Sequence, residues 1–319
     1  MYPDIGADDR RRRPLSRKRG DGRATRAIGR VLVSRYGDLT VAVALGGGGA
    51  RGLAHICVLQ ILDELGIRPV AIAGTSIGAI IGVAYAAGYS GDELRRHAES
   101  LFRSRLKLTR RLLKARARRP RRFLIDFAHP VLIDGAKFLD AFWPAGVPER
   151  FEDLQIPCRV VATDFARRKE VVFSSGALRS AVAGSMAMPG LVQAAPSNVG
   201  YLIDGGVVNP LPYNHLWGMA DIIVAVDLSG SAVRKQHRKG PPSPGETLVV
   251  ASQMMVNDLT ARMLSEQKLD VLVRPPVKQF LASSIFKSSR ILAAGDACRD
   301  ELIAQLDFVA AQIMSQRPA

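Results

Sequence analysis

Leu39-Thr40-Val41-Ala42-Val43-Ala44-Leu45 runs into Gly46-Gly47-Gly48-Gly49-Ala50-Arg51-Gly52, and Val70-Ala71-Ile72-Ala73 runs into Gly74-Thr75-Ser76-Ile77-Gly78. Both stretches are short apolar runs that end in glycine, and each is followed by a helical pattern. After the first, Leu53, Ile56, Leu59, Ile61, Leu62 and Leu65 fall at helical spacing, with Gly66 placed to cap the end. After the second, a helix of small residues runs from about Ile77 to Ala87 and stops near Gly88. Ser90 or Asp92 can cap the helix that follows. Further strands read at Cys158–Thr163, Glu170–Phe173, Tyr201–Ile203, Ile222–Val226 and Val271–Arg274. Helices read at Ala177–Ser185, Tyr213–Trp217, Glu246–Lys268 and Ala294–Met314, with a Pro-rich loop at 241–245. Strands alternating with helices predict an α/β fold: three layers, α/β/α, around a mostly parallel central sheet.

Three local motifs carry chemistry. Glycines in Gly46–Gly52 let backbone N–H groups approach a ligand closely at the positive end of a helix, which suits a phosphate or a developing oxyanion. No Gly-Lys-Ser/Thr follows, so a nucleoside-triphosphate loop does not fit, and Arg51 is too bulky for the dinucleotide turn. Gly74-Thr75-Ser76-Ile77-Gly78 is a G-x-S-x-G between strand and helix, the setting in which a sharp turn exposes a nucleophilic serine. Asp204-Gly205-Gly206 follows the apolar strand end Tyr201-Leu202-Ile203, at the carboxyl edge where α/β sites form.

Order, spacing and setting of the three together resemble the patatin-like phospholipase family. The match continues in Asn209-Pro210 and in Ala183-Gly184-Ser185-Met186-Ala187-Met188-Pro189, and it covers about Leu39 to Ser229. It is closest to the compact bacterial branch related to the neuropathy-target-esterase type. The resemblance implies a Ser–Asp dyad, with Ser76 as nucleophile and Asp204 as general base. It also implies an oxyanion hole at Gly47, Gly48 and Gly49, with Gly74, Gly78, Gly205 and Gly206 as motif glycines. Arg51 would either steer an anionic headgroup or pin the loop through an acidic partner. The implied activity is serine acyl-ester hydrolysis of phospholipid or lysophospholipid, calcium-independent, with no cofactor and no metal.

Among the histidines His55, His97, His129, His215 and His237, His215 lies 11 residues after Asp204, so Ser76, Asp204 and His215 would follow the chain order of an α/β-hydrolase triad. The resemblance favours the dyad, with His55 packing along the first helix and His97 and His237 solvated. Phe138, Phe142, Trp143 and Trp217 read as packing residues. Met186, Met188 and Pro189 are candidates for an acyl-pocket wall, because their stretch leads towards Asp204 and methionine adapts to varied chains.

Composition bounds the remaining choices. The chain has 319 residues, is 47% hydrophobic and carries a net charge of +16. Disordered, collagen-like and disulfide-scaffold classes are excluded. Residues 95–122 hold 13 basic residues against the single Glu99, and residues 1–40 hold 11 against 5 acidic. The rest of the chain is close to neutral. Residues 1–37 therefore read as a mobile basic arm and 38–230 as the catalytic core, with a basic insertion at about 95–123. Residues 231–319 read as a loop and C-terminal helices packed on the same domain. The basic insertion interleaves cations with Leu101, Phe102, Leu106, Leu108, Leu112, Leu113 and Phe123, as an interfacial helix does. The expected partners are a lipid or acyl-ester substrate and an anionic membrane surface, met through residues 95–123 and the N-terminal arm. A nucleic-acid-associated protein is the weaker alternative, because stacking aromatics are scarce in the basic segments. A catalytically silent anionic-lipid-binding protein is the other.

Cys57, Cys158 and Cys298 are odd in number and widely spaced, which fits buried thiols in a reducing compartment. Met1–Arg35 has no apolar run of signal-peptide type. Pro69–Gly91 and Ser180–Ile203 lack charge over a membrane-spanning length, but Gly, Pro and Ser break both, so they read as core. The expected location is cytoplasmic, peripheral at the inner membrane face.

Overall fold

Val41, Val43 and Leu45 alternate with Ala42 and Ala44 along the first strand, and all five are buried. A strand buried on both faces belongs in the middle of a sheet, and the computed structural model places it there. The structure describes residues 36–115, 133–198, 200–230, 241–242, 244–266 and 269–317. Nearly all of the expected basic arm lies outside those residues. So do 116–123 of the basic segment, His129 and His237.

The chain runs β1 (Val41–Leu45), α1 (Ala54–Glu64), β2 (Ala71–Thr75), α2 (Ile77–Ala86), α3 (Gly91–Phe102), α4 (Arg105–Lys114) and α5 (Gly135–Phe142). It continues through β3 (Cys158–Asp164), β4 (Lys169–Phe173), α6 (Leu178–Ser185), β5 (Ala195–Ser197), β6 (Gly200–Asp204) and β7 (Ile222–Val226). The last elements are α7 (Pro244–Glu266), β8 (Val271–Val273), α8 (Ser288–Gly295) and α9 (Arg299–Gln316). Parallel pairing joins β3, β2, β1, β7 and β8 in that order, while β4, β5 and β6 pair antiparallel.

Helices cover the sheet on both faces. On one side Ala42, Ala44, Ala71, Ala73 and Ala225 leave room for Leu211, Tyr213 and Leu216, with Met263 and Leu264 of α7 packed behind. Tyr213 donates its hydroxyl to the Met263 carbonyl at 2.8 Å and ties α7 to that layer. No described helix is long and apolar enough to cross a membrane.

Several elements differ from the sequence reading. The helix expected at Tyr213–Trp217 is a short 3-10 turn, Tyr213–Leu216, bounded by Pro212 and by Gly218 at φ +72°. The single helix expected at Ala294–Met314 is two, α8 and α9, joined by a 3-10 turn at Asp296–Cys298. Asp296 is drawn there by Arg95, which binds both carboxylate oxygens at 2.7 and 2.9 Å. That pair also removes Arg95 from the free cations of the basic segment. Ser90 rather than Asp92 caps α3, in a capping box with Glu93. His97 is not solvated: its Nε2 lies 3.0 Å from the Phe142 carbonyl.

Candidate active site

Register on β3 explains how the two site residues meet. Val160 pairs with Gly74 of β2 and Phe173 of β4, so β2 and β4 lie on opposite edges of β3. Ala162 pairs with Val171 of β4 and Asp204 of β6, so β6 lies on the edge that β2 occupies. Thr75 of β2 stands opposite Val161, and Asp204 of β6 stands opposite the next residue, Ala162. The two strands run in opposite directions along one edge, and their carboxyl ends meet head to head. Ser76 and Asp204 are what stands at the meeting point.

Ser76 caps α2 at φ +57° and ψ −121°, a left-handed conformation that a residue with a Cβ adopts only when its surroundings force it. Two contacts do so. Its N–H donates to Ser185 Oγ at 2.8 Å, and Ser185 in turn donates to the Val161 carbonyl at 2.6 Å. Below it, α2 starts against the end of β1, where a Cβ on Gly78 would lie 2.0 Å from the Leu45 carbonyl oxygen. Only glycine allows that approach.

Ser76 Oγ donates to Asp204 Oδ2 at 2.7 Å, and the other carboxylate oxygen accepts from the Gly206 N–H at 2.7 Å. Thr163 Oγ1 donates to the Asp204 carbonyl at 2.9 Å and fixes the backbone. Asp204 is 5% exposed. Burial pushes its carboxyl up to about 6, against the pull of the Ser76 and Gly206 hydrogen bonds. Such a carboxyl is a better proton acceptor near neutral pH than an ordinary aspartate.

The glycine-rich loop is pinned at both ends. Gly46 N–H donates to the Val226 carbonyl at 3.2 Å, Gly47 N–H to Pro210 at 2.9 Å and Ala50 N–H to Ala282 at 2.7 Å. Between them, the Gly48 and Gly49 N–H groups have no acceptor among the described residues. Arg51 is 1% exposed and turned inward, donating to the Gly48 and Gly230 carbonyls. Burial lowers its pKa, and nearby Asp227 works the other way. Arg51 thus lies under the loop, without a hydrogen bond to the acidic partner expected for it there. Backbone carbonyls are its hydrogen-bond partners. His55 is fully buried on α1, with Nε2 2.8 Å from the Gly46 carbonyl and Nδ1 without a partner among the described residues. Burial holds its pKa down to about 4, so the ring is neutral and Nε2 carries the donated proton.

A pocket of about 30 Å³ opens over Ser76. Gly47, Gly48 and Asp204 line it with Met188 and Pro189 on one side and Ser252, Gln253 and Val256 of α7 on the other. Met186 is buried but does not line it. His215 is engaged elsewhere: its Nε2 lies 2.6 Å from Glu170 Oε1, which also accepts from Asn209 Nδ2 at 2.8 Å. Among the described residues no group of His, Cys, Asp and Glu could hold a metal ion. Phe138 and Phe142 stack at 4.3 Å, whereas Trp217 is half exposed, its ring edge-on to Tyr213. Sequence reasoning missed the supporting roles of Ser185, Thr163 and His55, and the α7 wall. Ser185 lies in a segment already singled out by its pattern. The α7 residues had no local signal at all.

Comparison with known proteins bears on these observations. The family model described as patatin-like phospholipase matches residues 43–217. A protein of Mycobacterium tuberculosis named "Uncharacterized NTE family protein" is 38% identical over 213 residues, which are 66% of this chain and 53% of that one. "Lysophospholipase nte1" of Aspergillus fumigatus is 30% identical over 200 residues, 62% of this chain and 12% of that one. The chain thus spans about half the length of the mycobacterial relative and much less of the fungal one. Among solved structures, VipD from Legionella pneumophila matches with a TM-score of 0.50 at 14% identity, covering 85% of this chain and 67% of that one, a likeness of fold.

Proposed function

The chain belongs to the patatin-like phospholipase family, and from that premise we propose that it is a serine hydrolase of phospholipid or lysophospholipid acyl esters using a Ser76–Asp204 dyad. The observation that carries this is the 2.7 Å bond from Ser76 Oγ to Asp204 Oδ2, beside a loop with two N–H groups unengaged among the described residues. Ser76 Oγ attacks the ester carbonyl carbon while its proton passes to Asp204 Oδ2. The carbonyl oxygen becomes an oxyanion, which accepts hydrogen bonds from the N–H groups of Gly48 and Gly49. Gly47 forms the flat wall beside Ser76, since its own N–H is engaged with Pro210.

Collapse of the intermediate breaks the carbon–oxygen bond to the alcohol, and Asp204 returns the proton to that oxygen. The acyl-Ser76 ester is then cleaved by water, with Asp204 accepting the water's proton and handing it back to Ser76. Each N–H donor to the oxyanion is worth about 3 kcal/mol in such sites. That compensates for a base whose pKa lies far below that of the serine it deprotonates. Arg51 and His55 hold the loop from beneath and touch no reacting atom.

The test is hydrolysis of lysophospholipid and of a short soluble ester, together with labelling by a fluorophosphonate probe. Ser76→Ala is expected to abolish all three. Hydrolysis and labelling that survive in Ser76→Ala overturn the reading. His215→Ala, by contrast, should leave most of the activity.

A further inference from the structure

Two helices join the walls of the Ser76 pocket, α7 by lining it and α4 through backbone hydrogen bonds, and both expose apolar side chains among the described residues. On one side α7 lines the pocket with Ser252, Gln253 and Val256 while exposing Leu248, Val250, Met254 and Met255. Met254 and Met255 are 64% and 72% exposed. Large apolar side chains so open to water, on the helix that frames a pocket, mark a surface that meets something apolar.

On the other side the pocket wall Met188–Pro189 continues to Leu191, whose carbonyl accepts the Ile133 N–H at 3.0 Å. The next residue, Asp134, donates its N–H to Ala115 at 2.8 Å, directly after the last turn of α4. Two backbone hydrogen bonds thus tie the end of the basic helix to the segment that continues the pocket wall. On α4, Leu106, Thr109, Arg110, Leu113 and Lys114 are exposed, at positions i, i+3, i+4, i+7 and i+8 of one helical face. That face carries two leucines and two cations and no acidic residue.

We propose that the outward faces of α4 and α7 together form a docking surface for a bilayer containing anionic lipid. On this proposal Arg110 and Lys114 sit at the headgroups, and Met254 and Met255 enter the acyl region beside the pocket. The proposal deepens the hydrolase reading, because it names the surface from which the ester enters. Charge sets the choice of partner on the α4 side. On the α7 side the exposed cation Arg262 is already paired with Asp258 at 2.9 Å, and the apolar quartet offers no ring for a base, so a nucleic acid would leave it uncovered. A bilayer uses both: each basic residue near an anionic surface contributes about 1 kcal/mol, and the apolar edge adds binding that does not depend on lipid charge.

The test uses the full chain with phosphatidylcholine vesicles, with and without phosphatidylglycerol, read by co-sedimentation. The unaltered protein is expected to bind the anionic vesicles about tenfold more tightly or better. The double variant Arg110→Glu, Lys114→Glu should lose that preference. The double variant Met254→Ser, Met255→Ser should weaken binding to both vesicle types several-fold while keeping the preference. Hydrolysis of a short soluble ester should stay within about twofold in both variants, which shows that they fold and keeps the result separate from the dyad. Vesicle binding that is unchanged in both variants overturns the proposal. So does tighter binding to duplex DNA than to anionic vesicles. A protein that docks as described yet hydrolyses no ester would sink the hydrolase reading and leave the docking surface standing.

Discussion

Ser76 and Asp204 are 2.7 Å apart and held by opposite means. Ser76 is held by backbone geometry: a left-handed φ, glycines that allow close approach, and one hydrogen bond to its N–H. Asp204 has ordinary backbone but an unfavourable electrostatic setting, a carboxylate buried among apolar groups with two donors to offset the loss of water. One side of the dyad stores strain and the other stores desolvation. Both are states the chain leaves as soon as it unfolds, so both set function against stability.

The difference can be broken most directly at Asp204. Asp204→Asn keeps the shape and removes the base, and kcat should fall about 10³-fold, or roughly 4 kcal/mol, measured on the soluble ester. On the Ser76 side, Gly78→Ala pushes a methyl group into the Leu45 carbonyl. It should lower stability by about 3 kcal/mol, read by urea denaturation.

Asp204→Asn should also raise stability at pH 8, by roughly 2 kcal/mol. The sign follows from the raised carboxyl. The folded state favours the proton more than the unfolded chain does, so the advantage of the protonated form is complete below about pH 4 and is lost as pH rises through about 6. The variant's gain should therefore shrink to nothing in acid. By the same titration, kcat/KM of the unaltered enzyme should rise about tenfold per pH unit below about 6 and level off above it; a flat profile between pH 5 and pH 7 would remove Asp204 as the base. The smallest effect sharpens the strain side. Ser76→Gly should be about 1 kcal/mol more stable than Ser76→Ala, because glycine accepts the positive φ and alanine does not.

The parallel half of the molecule was legible in its sequence. Val41–Leu45 and Ala71–Thr75 are short, apolar and followed by glycine turns, so local pattern and tertiary placement agree. The antiparallel half was less so. Ala195–Ser197 contains Pro196 and is only three residues long, below what periodicity can resolve. Ser76 stood out because an elbow is a local object. Asp204 could be named from its two glycines, but nothing local says that β6 runs against β2 on a shared edge. The break between α8 and α9 was invisible for a similar reason: Asp296, at the break, is paired with Arg95, some two hundred residues earlier. His55 reads in sequence as one more residue on an amphipathic helix, and only the Gly46 carbonyl above it gives it a place.

Head-to-head strand ends have one further consequence. β6 holds its place on β3 through the pairs from Ala162–Asp204 to Asp164–Leu202, and a slip of one residue would turn the Asp204 side chain to the opposite face of the sheet. Ser76 would then have no base, although every strand would still be paired and the circular-dichroism spectrum would hardly change. Covalent capture of Ser76 by a probe is therefore also an assay of strand alignment. It would count correctly registered molecules in a refolded sample that spectroscopy would score as uniformly native.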